Sequence, residues 1–381
     1  MTALDCIAVD GYKSIRSAKI DLGPINVLIG ANGAGKSNLL GLFGLLADLA
    51  DDRLQLHVGR QGGADAILHF GRKKTQALRI SLRFGLYAYT SVLVSSAGDT
   101  LVFEDEVVWP APPGPRFEAA PPGVFTLDED ALRATGVAIG SGGHKETGLS
   151  SVRDSQGHSE IARLVAATMR GWRRFHFHDT GASAPMKQKR KLDDNRALRT
   201  EGDNLAPFLF SLKASAPSSY RRIVEAVRAV APFFDDFSLA PDAVNPDVIQ
   251  LAWRHKTDDA LFTADALSDG TLRFICLATL LLQPELPSLI VIDEPELGLH
   301  PFAITQLAAL VRSAATRSQV LLATQSVTLL DQFNADEVIV TERSNGESTF
   351  RRLDDQALDE WRQEYSLGEL WLKNVLGGRP R

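Results

Sequence analysis

The segment GANGAGKS, residues 30–37, constrains the fold of this 381-residue chain more than any other stretch. It follows the apolar run INVLI and precedes SNLLGLFGLLADL, which we expect to form a helix that begins near Lys36. Its glycines let the main chain turn sharply and bring backbone N–H groups close to a ligand. A strand, a glycine-rich loop and a helix in this order are typical of a phosphate-binding loop.

Such a loop predicts contacts to the phosphates of a nucleotide. We expect Lys36 to reach the β and γ oxygens, and Ser37 to ligate Mg²⁺ at the helix N-terminus. The predicted nucleotide contacts are Gly30, Ala31, Asn32, Gly33, Ala34, Gly35, Lys36, Ser37 and Asn38.

The segment LIVIDEPELGLHP provides two adjacent carboxylates after an apolar strand. The end of a buried strand is where a carboxylate can meet a metal ion, so we expect Asp293 to hold Mg²⁺ through its water shell. Glu294 would point at the γ-phosphate and polarise the attacking water as a general base. An apolar run that ends in Asp-Glu can also be an ordinary strand end, but its pairing with the glycine-rich loop favours a functional site.

The segment LSDGTLRF places Ser268 and Gly270 at the start of an apolar helix. A simple explanation is a capping turn in which Ser268 is the N-cap and Gly270 relaxes the backbone. Further along the chain, the alternation of SLIVID, a helix from Pro301, QVLLAT and EVIV predicts a parallel sheet with helices on its faces.

The rest of the chain suggests three parts. LRISLRFGLYA, SVLVSS and TLVFEDEVVW alternate like strands of an antiparallel sheet, and PAPPGPRFEAAPPG reads as a linker. SGGHKETGLSS looks mobile for the same reason. We predict the N-terminal part of a head at residues 1–109, a linker and mostly helical, basic insertion at 110–245, and the C-terminal part of the head at 246–381.

Composition limits the possible partners and the location of the chain. The net charge is −6, so any nucleic-acid contact needs a local basic patch. Cys6 and Cys276 lie in apolar runs and are expected to be buried thiols. No apolar run reaches the length of a membrane span, and the N-terminal residues MTALDCIAVDG lack a basic region followed by an apolar stretch, so we expect a cytoplasmic protein without a membrane partner.

Four motifs together, GANGAGKS, LSDGT, VIDEPELGLHP and LLATQS, resemble the ABC-type ATPase heads of the SMC, RecF and OLD-like group. The opening GYKSIRSAKIDLGPINVLIGANGAGKSN is similar to the start of such heads, and the likeness covers about residues 1–90 and 200–341. The chain looks in particular like stand-alone bacterial ATPases of the AAA-21 type without a nuclease domain. This resemblance implies an α/β P-loop NTPase fold with a mixed sheet, ATP and Mg²⁺ as cofactors, and ATP hydrolysis.

The same resemblance implies a homodimer around two Mg-ATP. In such heads the signature residues, here Ser268, Asp269 and Gly270, cap the γ-phosphate of the nucleotide held by the partner. Gln325 stands where many heads have a switch histidine. A glutamine can hydrogen-bond the γ-phosphate or orient water but carries no charge, so we expect slow turnover.

Several assignments stay open at the sequence level. Gln61 and Gln76 are both candidates for the glutamine of the Q-loop. Arg16 corresponds to a basic residue that approaches the nucleotide in related heads, and Lys13 is similar, although exposed arginines on strands are common. His176 and His178 in FHFHD could hold a metal with Asp179, but a pair of histidines on a strand is the simpler interpretation.

The biological role has three candidate answers. The resemblance implies a DNA-linked or phage-defence ATPase with a separately encoded effector, and Lys187, Lys189, Arg190 and Lys191 could bind DNA or form a solvated loop. The alternative is a nucleotide-gated protein-interaction module, for which the C-terminal SLGELWLKNVLGGRPR could dock a partner or pack on its own domain. A transporter ATPase is a third option. The acidic residues near the C-terminus lack the strand-end context of a metal nuclease.

Overall fold

The computed structural model describes residues 3–110, 137–139, 142–149 and 158–379, so the Pro-rich linker falls largely outside the described residues. The strands are β1 Cys6–Tyr12, β2 Ile15–Asp21, β3 Ile25–Ile29, β4 Ala77–Phe84, β5 Tyr87–Ser95, β6 Leu101–Pro110, β7 Val137–Ala138, β8 Trp172–Phe175, β9 Arg190–Lys191, β10 Phe234–Phe237, β11 Val248–Ile249, β12 Ala252–His255, β13 Asp258–Thr263, β14 Leu289–Asp293, β15 Gln319–Ala323, β16 Val338–Ser344 and β17 Glu347–Arg352. The α-helices are α1 Lys36–Ala50, α2 Leu54–Gln61, α3 Ala64–Ile67, α4 His158–Arg170, α5 Leu205–Ser215, α6 Pro217–Val230, α7 Asp269–Leu282, α8 Pro301–Ala315, α9 Val327–Leu330, α10 Asp355–Arg362 and α11 Leu367–Leu372.

These elements belong to two compact units. The first unit consists of the chain up to Arg173, of Asn334–Tyr365 and of the residues from Glu369 onward. The second unit takes Arg174–Phe333 and Ser366–Gly368. The glycine-rich loop therefore belongs to the first unit, and the predicted strand end at Asp293 belongs to the second.

The first unit contains a six-stranded antiparallel sheet in the order β2-β1-β4-β5-β6-β7. This confirms the antiparallel pattern of the sequence, but LRISLRFGLYA is two strands rather than one. The chain reverses at Gly85, whose φ is +55°, and the Gly85 N–H donates to the Asp5 carboxylate at 2.5 Å. Glycine adopts this left-handed conformation at no steric cost, so the turn separates β4 from β5.

One face of this sheet is apolar and forms the core of the first unit. Ile7 and Val9 on β1 are fully buried, and α1 packs against α4. The Trp172 ring lies 5.5 Å from the ring of Phe43 on α1 and 6.1 Å from the ring of Phe84 on β4. Aromatic burial therefore fixes α1, and the loop that precedes it, relative to the antiparallel sheet.

The segment at residues 142–149 is held in place, so the prediction of a mobile loop was wrong. The buried Glu106 carboxylate accepts hydrogen bonds from Thr147 Oγ1 at 2.5 Å and from the Gly148 N–H at 2.8 Å. Glu146 accepts the Leu54 N–H at 2.7 Å at the N-terminus of α2. The sequence does not reveal these contacts, because Glu106 is 41 positions away from Thr147 and Glu146 is 92 positions away from Leu54.

The first unit also contains the strand that leads into the glycine-rich loop. All five residues of β3 are buried, and β3 pairs in parallel with β16, which pairs antiparallel with β17. A strand buried on both faces reads as a continuous apolar run, as INVLI does. The loop consequently starts at the carboxyl end of a parallel strand, which is the usual position of a ligand site in α/β sheets.

The second unit contains the parallel pair β14 and β15, with Asp293 opposite Ala323. The apolar helix α7 packs against α6 and α8. A three-stranded sheet in the order β10-β12-β13 and the small pair β9 and β11 complete this unit. The parallel pairs in both units confirm the mixed α/β fold predicted from the sequence. The expected strand over FHFHD was wrong in its extent, because β8 ends at Phe175 and both histidines lie beyond it.

Residues 369–379 of the C-terminal segment pack on the first unit. Trp371 and Leu376 are 6% and 1% exposed, and Arg351 donates to the Leu376 carbonyl at 2.8 Å. The Gly378 N–H donates to the Glu342 carboxylate at 2.9 Å. Cys6 and Cys276 are free and buried, as expected. Within the described part of the chain, no helix is long and apolar enough to cross a membrane.

Candidate functional site

The glycine-rich loop has the conformation that its sequence requires. Gly30 and Gly35 have φ values of +154° and +115°, and α1 begins at the next residue, Lys36. A Cβ atom at Gly30 would overlap the Thr341 carbonyl oxygen on β16. Only glycine therefore lets the loop pass so close to the neighbouring strand.

Lys36 folds back over the loop. Its side chain is buried, and Nζ donates to the Gly30 carbonyl at 2.6 Å and to the Ala31 carbonyl at 3.1 Å. An ammonium group carries three donors, so these contacts keep a positive charge at the loop. This arrangement fits the binding of nucleotide phosphates, which would replace the carbonyl groups as partners of Lys36.

Asn38 and Ser14 meet behind the loop. Asn38 Nδ2 donates to Ser14 Oγ at 2.6 Å, and Ser348 Oγ lies 2.7 Å from Ser14 Oγ. Ser14 follows Lys13 in the turn between β1 and β2. Ser348, from β17, was not found by sequence reasoning, because no local motif marks a residue 334 positions away from Ser14.

Arg16 and Lys13 face acceptors on the protein. Arg16 forms an ion pair of 3.3 Å with Glu347, and Lys13 Nζ donates to Gln61 Oε1 at 2.9 Å. Arg16 and Gln76 line a polar cleft of about 350 Å³ in the first unit. The two Q-loop candidates are therefore placed differently: Gln61 binds Lys13, and Gln76 borders the cleft.

In the second unit, the two adjacent carboxylates lie at the end of β14. Asp293 is mostly buried, with a side chain 11% exposed, and its carboxylate lies 3.5 Å from the Arg174 guanidinium. His178 Nε2 lies 2.9 Å from the Asp293 carbonyl oxygen. Sequence reasoning missed Arg174 as a neighbour of Asp293, since the two residues are 119 positions apart.

Glu294 occupies an unusual backbone conformation. Its φ is +43°, and its N–H donates to the Ala323 carbonyl of β15 at 2.8 Å. Residues other than glycine and asparagine rarely adopt this region, and such strain is concentrated at functional sites. Gln325 Nε2 donates directly to the Glu294 carboxylate. The structure thus brings together the predicted base and the residue at the switch position.

Glu296 adds a carboxylate that the sequence analysis did not assign. Thr324 Oγ1 donates to Glu296 Oε1 at 2.5 Å, and the Gln325 N–H donates to the same oxygen at 3.3 Å. Burial raises the pKa of this carboxyl above its usual value, while these hydrogen bonds act in the opposite direction. Its position within DEPELGLHP was the only signal in the sequence. Glu296 thereby connects the segment after β14 to the segment after β15.

The signature segment starts α7 as a capped helix. Ser268 is the N-cap, and its Oγ accepts the Thr271 N–H at 3.2 Å, so the simple explanation of a capping turn is confirmed. A Cβ atom at Gly270 would overlap the Gly298 carbonyl oxygen, which brings this helix close to the LGLHP segment. Ser268 and Asp269 are exposed, which leaves the helix N-terminus open to an anionic ligand.

Arg273 ties the start of α7 to two other segments. Its buried guanidinium donates to the carbonyl oxygens of Phe177 at 3.0 Å and His178 at 3.2 Å, and also to that of Leu297. Three carbonyl groups thus share one planar group with five N–H donors. The LSDGTLRF segment therefore contains a structural arginine that its motif reading overlooked.

His176 and His178 lie side by side, with ring centroids 4.1 Å apart. Burial lowers the pKa of His176, and the neighbouring His178 and Arg174 lower it further. Among the described residues, no group of three or more His, Cys, Asp or Glu side chains could hold a metal ion. The two histidines thus lie beside each other after the end of β8 and not on a strand.

The basic stretch from Lys187 to Lys191 is partly matched by protein groups. Lys187 is 6% exposed, Lys189 forms an ion pair with Asp242, and Arg190 donates to the Asp203 carbonyl at 3.1 Å. The hydrogen bond from Lys189 is the main cause that lowers the pKa of Asp242 to about 2. Lys189 and Lys191 are exposed, and Lys191 lies in a two-residue strand. The stretch is therefore partly matched by protein groups and partly open to solvent.

Comparisons with known proteins agree with this arrangement. The AAA_21 family, described as "AAA domain, putative AbiEii toxin, Type IV TA system", matches residues 25–90 and 133–331. A search of curated protein sequences gave no significant match.

Two similar solved structures are SMC heads. An SmcHead bound to the C-winged helix domain of ScpA is 14% identical, with a TM-score of 0.57, and covers 93% of this chain and 99% of that chain. The second is an Smc head domain with an extended coiled coil, bound to the C-terminal domain of ScpA derived from Pyrococcus furiosus. It is 13% identical, with a TM-score of 0.52, and the match covers 96% of this chain and 99% of that chain. At this identity the likeness concerns the fold. The structural matches show that the chain has the fold of an SMC-like, ABC-type ATPase head. Because the family match spans more than half of the chain, the chain belongs to the AAA_21 family.

Proposed function

We propose that this chain binds Mg-ATP and hydrolyses it slowly. The loop at Gly30–Ser37 would bind the phosphates, with Lys36 exchanging its carbonyl partners for phosphate oxygens. Ser37 and Asp293 have the oxygen donors that Mg²⁺ prefers. The bound ion would neutralise charge that develops on the transferred phosphoryl group.

The hydrogen bond between Gln325 and Glu294 is the observation that carries this proposal. Glu294 directly follows Asp293, in a conformation that L-residues rarely adopt, and its carboxylate is held by the Gln325 amide. A positioned carboxylate within reach of a water can remove its proton during attack on phosphorus. The amide donor fixes the orientation of the carboxylate, and a glutamine at this position carries no charge, which agrees with slow turnover.

We further propose that ATP binding drives homodimer formation. Ser268 and Asp269 are exposed at the N-terminus of α7, where backbone N–H groups and the helix dipole favour an anionic ligand. A γ-phosphate presented by a second copy would satisfy these donors. A two-fold dimer would then contain two such contacts, because each chain offers the same surface to the other.

Two substitutions test the ATPase and the dimer together. Glu294→Gln should hold ATP without turnover and accumulate as a dimer, whereas Lys36→Ala should bind ATP poorly and stay a monomer. Light scattering after size exclusion in Mg-ATP, beside phosphate release, provides both readouts. Glu285→Gln, an exposed carboxylate between α7 and β14, is the matched control and should behave as the wild type. A dimer of the same stability in both variants would refute the nucleotide-driven mechanism.

The biological role that we favour is an ATPase that acts through a separately encoded protein. The two SMC heads above are bound to ScpA, and the family description names a putative toxin of a toxin–antitoxin system. A DNA-linked or defence function remains the first form of this proposal, and a nucleotide-gated protein-interaction module is the second. The matched charges of Lys189 and Arg190 favour a protein partner over direct DNA contact. Stimulation of turnover by duplex DNA would reverse that preference.

A further inference from the structure

The carbonyl side of the glycine-rich loop has its own set of partners. If backbone N–H groups of the loop face phosphates, the carbonyl groups point elsewhere and need other donors. Lys36 serves Gly30 and Ala31. Two other carbonyl groups of the loop have different donors: Arg343 donates to the Gly33 carbonyl at 3.1 Å, and Ser348 Oγ donates to the Ala34 carbonyl at 2.6 Å.

Arg343 and Ser348 belong to one hairpin, formed by β16 and β17. The two residues are directly opposite each other in the antiparallel register, so their side chains share one face. Gly346 lies in the turn, with φ at +84°, and its carbonyl accepts a hydrogen bond from Arg343 Nε at 3.3 Å. The hairpin therefore presents both donors to the loop as a fixed pair.

Ser348 approaches the loop at the position where Gly35 has no side chain. A Cβ atom on Gly35 would overlap Ser348 Oγ. Ser348 is 1% exposed, its N–H donates to the Ser14 carbonyl at 2.8 Å, and its Oγ lies 2.7 Å from Ser14 Oγ. Asn38, in the first turn of α1, donates to the same Ser14 hydroxyl at 2.6 Å. One hydrogen-bond network thus joins the hairpin, the turn after β1, the glycine-rich loop at Ala34 and the first turn of α1 at Asn38.

We propose that Arg343 and Ser348 are positioning residues of the phosphate-binding loop. The inference rests on the proposed binding of ATP. When Lys36 engages phosphate, fewer of its three donors remain for the Gly30 and Ala31 carbonyl groups, so its support of the loop weakens in the bound state. Arg343 and Ser348 do not need to move, and by holding the Gly33 and Ala34 carbonyl groups they fix the two peptide planes that carry the Ala34 and Gly35 N–H groups. The C-terminal hairpin thereby sets the affinity of the loop for phosphate.

Binding of Mg-AMP-PNP, measured by isothermal titration calorimetry, tests this role. Ser348→Ala and Arg343→Ala should each weaken binding about five-fold, the usual effect of one lost hydrogen bond. Arg343→Lys should recover part of the affinity, because an ammonium can still donate to the Gly33 carbonyl. Ser344→Ala is the matched control, since Ser344 is exposed on the same hairpin and pairs with Glu347.

The comparison of affinity with stability separates positioning from a purely structural role. A structural role would lower the melting temperature of the nucleotide-free variants and leave the dissociation constant at its wild-type value, which would overturn the inference. If Ser348→Ala does not fold, Arg343→Ala decides, because its side chain is exposed. A wild-type chain that fails to bind Mg-AMP-PNP would refute the proposed function and this inference with it. Binding by the wild type with unchanged affinity in both variants would refute the inference alone.

Discussion

Single residues in this chain owe their chemistry to burial and to fixed neighbours. Glu294 and Glu296 are two positions apart, yet one is held by the Gln325 side chain and the other by Thr324. Burial raises the pKa of Glu296, whereas the hydrogen bonds from Thr324 and from the Gln325 N–H lower it. The segment after β14 therefore contains two acidic residues with different partners, which residue type alone does not separate.

The two thiols give a direct test of burial. Burial is the main cause that raises the pKa of both Cys6 and Cys276 to about 12, and both are free. Because the thiolate is the reactive form, the native chain should resist iodoacetamide at pH 8, and both thiols should react in denaturant. Intact mass spectrometry reads out each added group. Fast alkylation of the folded protein would contradict the buried placement of these cysteines.

At the scale of elements, the segments around α7 are joined by one side chain. Arg273 holds the carbonyl groups of Phe177, His178 and Leu297, while Gly270 allows α7 to approach Gly298. Separation of the signature segment from the segment after β14 would therefore break the hydrogen bond between Arg273 and the Leu297 carbonyl. This linkage is a structural reason for the arginine in LSDGTLRF.

Replacement of Arg273 should be strongly destabilising. Arg273→Ala leaves three carbonyl groups without their donor, and we expect a loss of about 3 kcal/mol in the free energy of unfolding. Arg273→Lys should recover little, because a single ammonium cannot reproduce the planar fork of a guanidinium. Urea unfolding followed by circular dichroism measures both variants. Arg221→Ala, whose exposed side chain makes one long contact to the Pro217 carbonyl, should change stability by less than about 0.5 kcal/mol.

At the scale of the whole molecule, charge determines which partners are plausible. The chain has a net charge of −6, and Lys189, Arg190 and Arg199 are paired with aspartates. Affinity for duplex DNA comes mainly from cations that replace counterions on phosphates. A cation that is already paired with a carboxylate displaces few counterions from DNA, so we expect Lys189 and Arg190 to contribute little to such affinity.

A salt titration checks this reading of the basic stretch. Lys189→Ala combined with Arg190→Ala should leave any duplex affinity of the wild type unchanged within about two-fold, because both cations already have acidic partners. Fluorescence anisotropy at several salt concentrations gives the affinity and its salt dependence. A clear loss of affinity, together with a shallower salt slope, would instead show that the stretch contacts phosphate groups.

The sequence was sufficient where a local pattern specifies a local structure. The strand before the loop, the loop itself, the start of α1 and the strand that ends at Asp293 were all predicted, because apolar runs and glycine spacing act over a few residues. It was insufficient at Gly85, where a turn divides the alternating segment LRISLRFGLYA into parts of two strands. It also failed at residues 142–149, where two glutamates fix a segment that looks mobile by composition.

The sequence by itself determined the fold class and the position of the glycine-rich loop between β3 and α1, since both follow from short-range periodicity and steric limits on the backbone. Only the tertiary structure showed which side chains support those residues. Ser348 lies beside Ala34, Arg174 beside Asp293, and Arg273 between two distant segments, although each pair is separated by many positions in the chain. Hydrogen bonds of this kind depend on folded geometry, because buried polar groups pair with whatever donor packing brings within reach.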